Sequence, residues 1–239
     1  MSAFIEALRA ARVVAVLRAA DEAALAAQLD HAVGGGVRAL EITTTGAGWE
    51  KVLAAAVSSA PAGTLVGAGT VTTTGQVEQA LEAGASFLVS PYRVDAAVLR
   101  AAGDTPFVQG GFTPAEIAGV AALPGAGTGV AKLFPATTGG IAHLRAVKDV
   151  LPGVAIMPTG GIAPATAADW LDAGAVAVGI GGALFREPVE SIRALLGAVG
   201  ATGDATAGGT AIGGTGDGTA GGTAVSATGD ASAGSGSGA

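Results

Sequence analysis

The chain has 239 residues, is 50% hydrophobic and only 13% charged, carries a formal net charge of −7, and contains no cysteine. That length fits one domain or two small ones; the acidic balance without a basic run excludes the footprint of a nucleic-acid binder. The missing thiols exclude a disulfide framework, a thiolate metal site and a cysteine nucleophile, and two histidines, His31 and His143, are too few for a histidine-based metal cage.

Met1 to Ala20 is interrupted by Glu6, Arg9, Arg12 and Arg18, so it lacks the apolar centre of a secretory signal. From there one theme repeats: a short apolar run rich in Val, Ile or Phe, then an Ala/Leu-rich segment of helical period. In chain order, strand Val13–Arg18 precedes helix Asp21–Val33, Ala39–Thr45 precedes Trp49–Ser59, and Leu65–Val71 precedes Thr74–Ala83. Phe87–Pro91 precedes Val94–Ala102, Phe107–Phe112 precedes Pro114–Ala122, and Gly129–Pro135 precedes Ile141–Val150. Ala155–Gly161 precedes Pro164–Ala173, and Ala175–Gly181 precedes Pro188–Val199. Pro114 and Pro164 suit first helical turns, while Gly34-Gly35-Gly36, Gly84 and Gly174 stand where helices should stop.

Apolar runs without clean alternation are expected of parallel strands covered on both faces. Eight such units within residues 1–200 predict a (β/α)8 TIM barrel. An open doubly wound sheet is the alternative, but Gly67-Ala68-Gly69 supplies only part of the dinucleotide motif. Residues 201–239 hold 13 Gly, 10 Ala, 7 Thr and 4 Ser, with Ile212 and Val225 the only larger apolar side chains. Such a stretch cannot offset an ordering cost of roughly 1–2 kcal/mol per residue, so a disordered tail is expected there. The longest uncharged run, Val52 to Val77, is broken by Pro61 and makes a poor membrane span; a soluble cytoplasmic protein with no membrane partner is expected.

In a barrel of this kind function sits where strands run into their following loops. Lys132 is one of three lysines; Lys51 and Lys148 lie in helical segments beside Glu50 and Asp149, whereas Lys132 lies inside a strand, sharing its face with Val130 and Phe134. Desolvation disfavours a charged ammonium, and the neutral amine is the form that attacks a carbonyl to make a Schiff base. The alternative is a lysine that pairs a buried carboxylate or reaches out of the barrel mouth. Glu41 also interrupts an apolar strand, Ala39-Leu40-Glu41-Ile42, and suits a general acid–base or a plain ion pair with Lys132. Arg18, at the end of the first strand, offers a planar fork to a carboxylate or phosphate, or else sits on the rim. Thr70 and Thr159 end the third and seventh strands, where each could hydrogen-bond a substrate. Gly160-Gly161 and Gly181-Gly182 follow strands seven and eight, the usual phosphate position in these barrels, although tight turns also call for glycine. Gly139-Gly140 could add backbone donors. His31, His143 and Trp170 read as surface or packing residues, and Trp49 as a packing residue near enough to the Glu41 loop to shape a pocket.

Val13-Val14-Ala15-Val16-Leu17-Arg18, Gly36-Val37-Arg38-Ala39-Leu40-Glu41-Ile42-Thr43, Gly67-Ala68-Gly69-Thr70-Val71, Val130-Ala131-Lys132-Leu133-Phe134-Pro135 and Pro158-Thr159-Gly160-Gly161-Ile162 together resemble the 2-keto-3-deoxy-6-phosphogluconate (KDPG) and 4-hydroxy-2-oxoglutarate (KHG) aldolases. The resemblance implies a class I aldolase, a homotrimer, that needs no metal or other cofactor and releases pyruvate. It implies Lys132 as the Schiff-base lysine, Glu41 as the acid–base, and Thr70 and Thr159 in the pyruvyl pocket. Gly160, Gly161, Gly181 and Gly182 would surround the phosphate. Two departures stand out. Thr44 and Thr45 replace a leucine and a carboxylate-binding arginine of many members, which leaves Arg18 to take that charge, and Ala183 replaces a phosphate-binding serine of some. The branch that cleaves 2-keto-3-deoxy-6-phosphogalactonate (KDPGal) lacks the same arginine and carries Trp-Glu shortly afterwards, much as Trp49-Glu50 do here.

Overall fold

The computed structural model describes residues 3–123 and 127–201. Apart from Ala201, the tail expected over 201–239 lies outside the described residues. The strands are β1 (Val13–Leu17), β2 (Ala39–Thr43), β3 (Leu65–Gly69), β4 (Phe87–Val89), β5 (Phe107–Gly111), β6 (Gly127–Leu133), β7 (Ala155–Pro158) and β8 (Val178–Ile180). Every pairing is parallel, and the sheet order runs β7-β6-β5-β4-β3-β2-β1-β8. A parallel bridge between Thr159 and Gly179 joins the two ends. The result is the eight-stranded barrel that the repeating strand–helix pattern predicts.

The helices are α1 (Ala3–Ala11), α2 (Glu22–Gly34), α3 (Trp49–Ser59), α4 (Thr74–Glu82), α5 (Ala96–Ala101), α6 (Pro114–Ala121), α7 (Ala136–Val150), α8 (Ala167–Asp172) and α9 (Val189–Ala198). Their starts follow from local chemistry. Asp21 and Asp95 cap α2 and α5 through side-chain oxygens, while Thr73 with Gln76 and Thr113 with Glu116 form reciprocal capping boxes on α4 and α6. The segment Pro164–Ala173 divides into a 3-10 turn over Pro164–Thr166 followed by α8. Helix α7 begins at Ala136 rather than at Ile141, because the chain is already helical before a break at Gly140 (φ 68°, ψ −174°).

Two apolar cores are separated by the sheet. Leu40 and Ile42 of β2, and Ala131 and Leu133 of β6, pack outward against the helices; Ala39 and Val130 on the opposite faces pack inside the barrel. Period two therefore turns Glu41 and Lys132 inward. The unforeseen element is α1. It precedes the first strand and stands outside the repeat, yet its Phe4, Ile5 and Leu8 fill the lower barrel with Val14, Phe87 and Met157. The Phe4 and Phe87 rings are 5.6 Å apart. With the bottom plugged, open space remains at the C-terminal ends of the strands.

Candidate active site

Strands β2 and β6 lie four places apart in the sheet order, on opposite sides of the barrel, and their inward polar side chains meet across it. Lys132 Nζ lies 3.4 Å from Glu41 Oε1, with the two side chains 5% and 1% exposed. The ion pair that the sequence leaves open thus forms, and Lys132 also opens onto a cavity. That cavity, of about 480 Å³, is lined by Arg18, Lys132, Phe134, Thr159 and both glycine pairs, with Ala183 and Arg186 at its edge. Lys132 Nζ stands 5.4 Å from the Phe134 ring centroid, within the range of a cation–π contact.

The barrel makes room for the pair with glycine. At Gly69 of β3 a Cβ would collide with the Glu41 carboxylate, and at Gly179 of β8 it would collide with Thr159. Glu41 Oε2 and Thr159 Oγ1 are buried and have no hydrogen-bond partner among the described residues. Each such atom costs about 1–3 kcal/mol unless something pairs with it. One belongs to the carboxylate paired with the amine and the other to the lining of the same cavity, an arrangement suited to a ligand with several oxygen atoms.

Arg18 lies at the mouth. Its guanidinium donates to Thr70 Oγ1 at 2.9 Å and to Thr45 Oγ1 at 3.2 Å, while Thr43 Oγ1 donates to the Leu17 carbonyl at 2.9 Å. Thr70 has a φ of 60°, a conformation that costs a β-branched residue about 1–3 kcal/mol. Its carbonyl accepts from Thr44 Oγ1 at 2.9 Å, and Thr44 accepts in turn from Gln76 Nε2 at 3.0 Å. The strained turn therefore holds the Thr70 hydroxyl against Arg18. Thr44 and Thr45, which stand out in the sequence as departures, are the residues that brace this corner.

The glycine pairs are physically unlike. Gly160 and Gly161 have φ of 101° and 78°, and a Cβ on Gly161 would collide with Thr137, so their backbone requires glycine. At Gly181 and Gly182 φ is ordinary, and a Cβ would meet only the Val16 carbonyl at 3.7 Å and Arg186 Nη1 at 3.7 Å respectively. Nothing in the fold demands glycine there, which leaves bare backbone facing the cavity.

All nine residues singled out from the sequence converge. Arg18, Lys132, Thr159, Gly160, Gly161, Gly181 and Gly182 line the cavity; Glu41 joins through Lys132 and Thr70 through Arg18. Gly139 and Gly140 are not part of the lining. Trp49 packs in the outer core, and His143 stacks on Phe112 at 4.5 Å. Arg186, on a 3-10 turn over Leu184–Arg186, is the lining residue that the sequence reading missed; its one signal is its place four residues after a glycine pair. Among the described residues no cluster of three or more His, Cys, Asp or Glu is placed to hold a metal ion, and no helix is long and apolar enough to cross a membrane.

Comparison with known proteins gives this geometry a family. A probable 2-dehydro-3-deoxy-6-phosphogalactonate aldolase of Rhizobium meliloti is 38% identical over 154 residues, covering 63% of this chain and 71% of its own. A 2-dehydro-3-deoxy-phosphogluconate aldolase of Treponema pallidum is 36% identical over 168 residues, covering 68% and 76%. The crystal structure of a KDPG aldolase from Legionella pneumophila, with pyruvate captured as a covalent carbinolamine, superposes with a TM-score of 0.66 at 31% identity, covering 82% of this chain and 97% of that one. The family model for KDPG and KHG aldolases matches residues 4–193. The chain belongs to the KDPG and KHG aldolase family.

Proposed function

We propose that this aldolase cleaves a 2-keto-3-deoxy-6-phospho sugar acid to pyruvate and glyceraldehyde 3-phosphate, with KDPG as substrate, and cleaves KHG to pyruvate and glyoxylate. The observation that carries the reading is the buried Lys132–Glu41 pair, 3.4 Å apart, opening onto a cavity whose lining includes Arg18, Lys132 and Arg186 but no acidic side chain. In a chain of net charge −7, that wall suits a substrate anionic at both ends.

Transfer of one proton from the ammonium to Glu41 leaves Lys132 as the neutral nucleophile. Nζ attacks the C2 ketone, and loss of water gives an iminium. Glu41, as carboxylate, takes the C4 hydroxyl proton; the C3–C4 bonding pair flows into the iminium, leaving an enamine and releasing the aldehyde. The acid then returns its proton to C3, and water hydrolyses the pyruvyl iminium to free Lys132. Arg18, held by Thr70 and Thr45, receives the carboxylate, and Thr159 Oγ1 pairs with a substrate oxygen. The amides of the two glycine pairs receive the phosphate, so binding energy far from the reacting bond is spent on aligning it.

The KDPGal epimer is a second reading, favoured by the Rhizobium meliloti relative and by Thr44-Thr45 and Trp49-Glu50. Pyruvate release coupled to lactate dehydrogenase, measured on both C4 epimers, separates the two readings. Borohydride trapping with pyruvate should place the adduct on Lys132, and Lys132→Ala should abolish both adduct and turnover. Glu41→Gln should slow turnover by roughly 10² or more. An active protein with no adduct at Lys132 refutes the mechanism.

A further inference from the structure

Arg186 is exposed and lines the cavity, and its side chain has no hydrogen bond or ion pair to another described residue. The other two cations of the wall are committed: Lys132 to Glu41 at 3.4 Å and Arg18 to two threonine hydroxyls. Beneath Arg186 lies backbone without side chains. A Cβ on Gly182 would have as its nearest neighbour Arg186 Nη1 at 3.7 Å, so the guanidinium stands beside bare backbone with no side chain between them. Because φ at Gly181 and Gly182 is ordinary, the missing side chains are not a by-product of a turn that must be glycine. Bare backbone and an uncommitted planar fork in the lining of one cavity suit an anion presenting several oxygens.

We propose that Arg186 determines specificity for the phosphate: its guanidinium closes on the oxygens that the glycine amides leave uncovered, and the enzyme thereby prefers phosphorylated 2-keto-3-deoxy acids to unphosphorylated ones. The proposal rests on the aldolase reading above and adds to it the side chain that selects between substrate classes. Arg18, whose guanidinium is held by Thr45 and Thr70, serves the carboxylate in the reading above and cannot make this distinction, since both classes carry one.

The test uses the full chain with Arg186→Gln and Arg186→Lys. Titration with inorganic phosphate followed by phosphorus-31 NMR should show affinity about tenfold or more weaker in Arg186→Gln, with partial rescue in Arg186→Lys, which keeps the charge but loses the fork. Steady-state kinetics should show kcat/KM for the phosphorylated acid falling about 10- to 100-fold, mostly through KM, with turnover of the unphosphorylated 2-keto-3-deoxy sugar acid of the same length changing by less than about twofold. The borohydride-trapped pyruvate adduct on Lys132 should be unchanged. Wild-type phosphate affinity in Arg186→Gln, or a parallel loss on both substrates, overturns the proposal. Failure of the aldolase reading would look different: the wild-type protein would give no pyruvate adduct, and the phosphate titration would still decide Arg186.

Discussion

The placement of Glu41 depends on a missing side chain across the sheet, and Gly69→Ala exposes that dependence. A methyl group at Gly69 would stand 2.5 Å from Glu41 Cγ and 2.7 Å from its Cδ. Ordinary van der Waals contact begins near 3.4 Å, so the carboxyl arm must retreat by about 0.9 Å, the difference between 3.4 and 2.5 Å. Overpacking of this kind costs about 1–3 kcal/mol, and a misplacement near 1 Å costs a reaction about 10²-fold. We expect Gly69→Ala to lower the melting temperature by roughly 2–12 °C, the shift that 1–3 kcal/mol produces in a domain of about 200 residues. We expect kcat for pyruvate release, corrected for folded fraction, to fall about 10²-fold. Gly67→Ala is the control one layer down. Its methyl would meet the Phe87 backbone carbonyl of β4 and the Phe87 ring, 2.5 Å from Cδ1 and 2.6 Å from Cε1, in the lower core beneath the site. It should lose at least as much stability, because a strand carbonyl cannot swing aside as a carboxyl arm can, while the molecules that fold keep kcat near wild type. Wild-type kcat in Gly69→Ala, or an equal loss per folded molecule in Gly67→Ala, would refute the steric argument.

Gly181→Ala should separate stability from binding: with ordinary φ and only an ordinary contact to the Val16 carbonyl at 3.7 Å, thermal unfolding should show stability unchanged or raised by about 0.4–1 kcal/mol, while KM for the phosphorylated substrate rises. A clear loss of stability would show that the fold itself needs this glycine. At Glu116 the backbone N–H groups of Thr113 and Phe112, with the Thr113 hydroxyl, hold the carboxyl below its usual value of 4.5. Its contribution to stability is therefore present above the unfolded value and is lost as pH falls through the depressed folded one. Acid denaturation of Glu116→Gln should accordingly show a shallower limb below the usual carboxylate range, and an identical limb in both proteins would contradict this.

What the sequence determined by itself was periodic or local. Alternation of short apolar runs with helical segments suffices for the barrel, because parallel strands buried on both faces look alike wherever they pair. Period two within a strand suffices to turn Lys132 and Glu41 to the same face as Val130 and Ala39. The capping residues Thr113 and Asp21 act within one turn of their own helices. Helix α1 escaped because it precedes the repeat, although Phe4, Ile5, Leu8 and Ala11 already carry a helical stripe; its burial depends on a barrel bottom that no local pattern describes.

Only the tertiary structure decided who meets whom across the barrel. Closure of the sheet brings β2 and β6, 91 residues apart at Glu41 and Lys132, to 3.4 Å, and sets Gly69 where the carboxylate needs space. Closure also divides the glycine pairs, alike as letters, into one that the backbone requires and one that stands open to a ligand. It raises Arg186 from one of nine arginines to a wall of the site. Register and curvature fix such encounters, whereas a strand's own sequence records only the face on which each side chain lies.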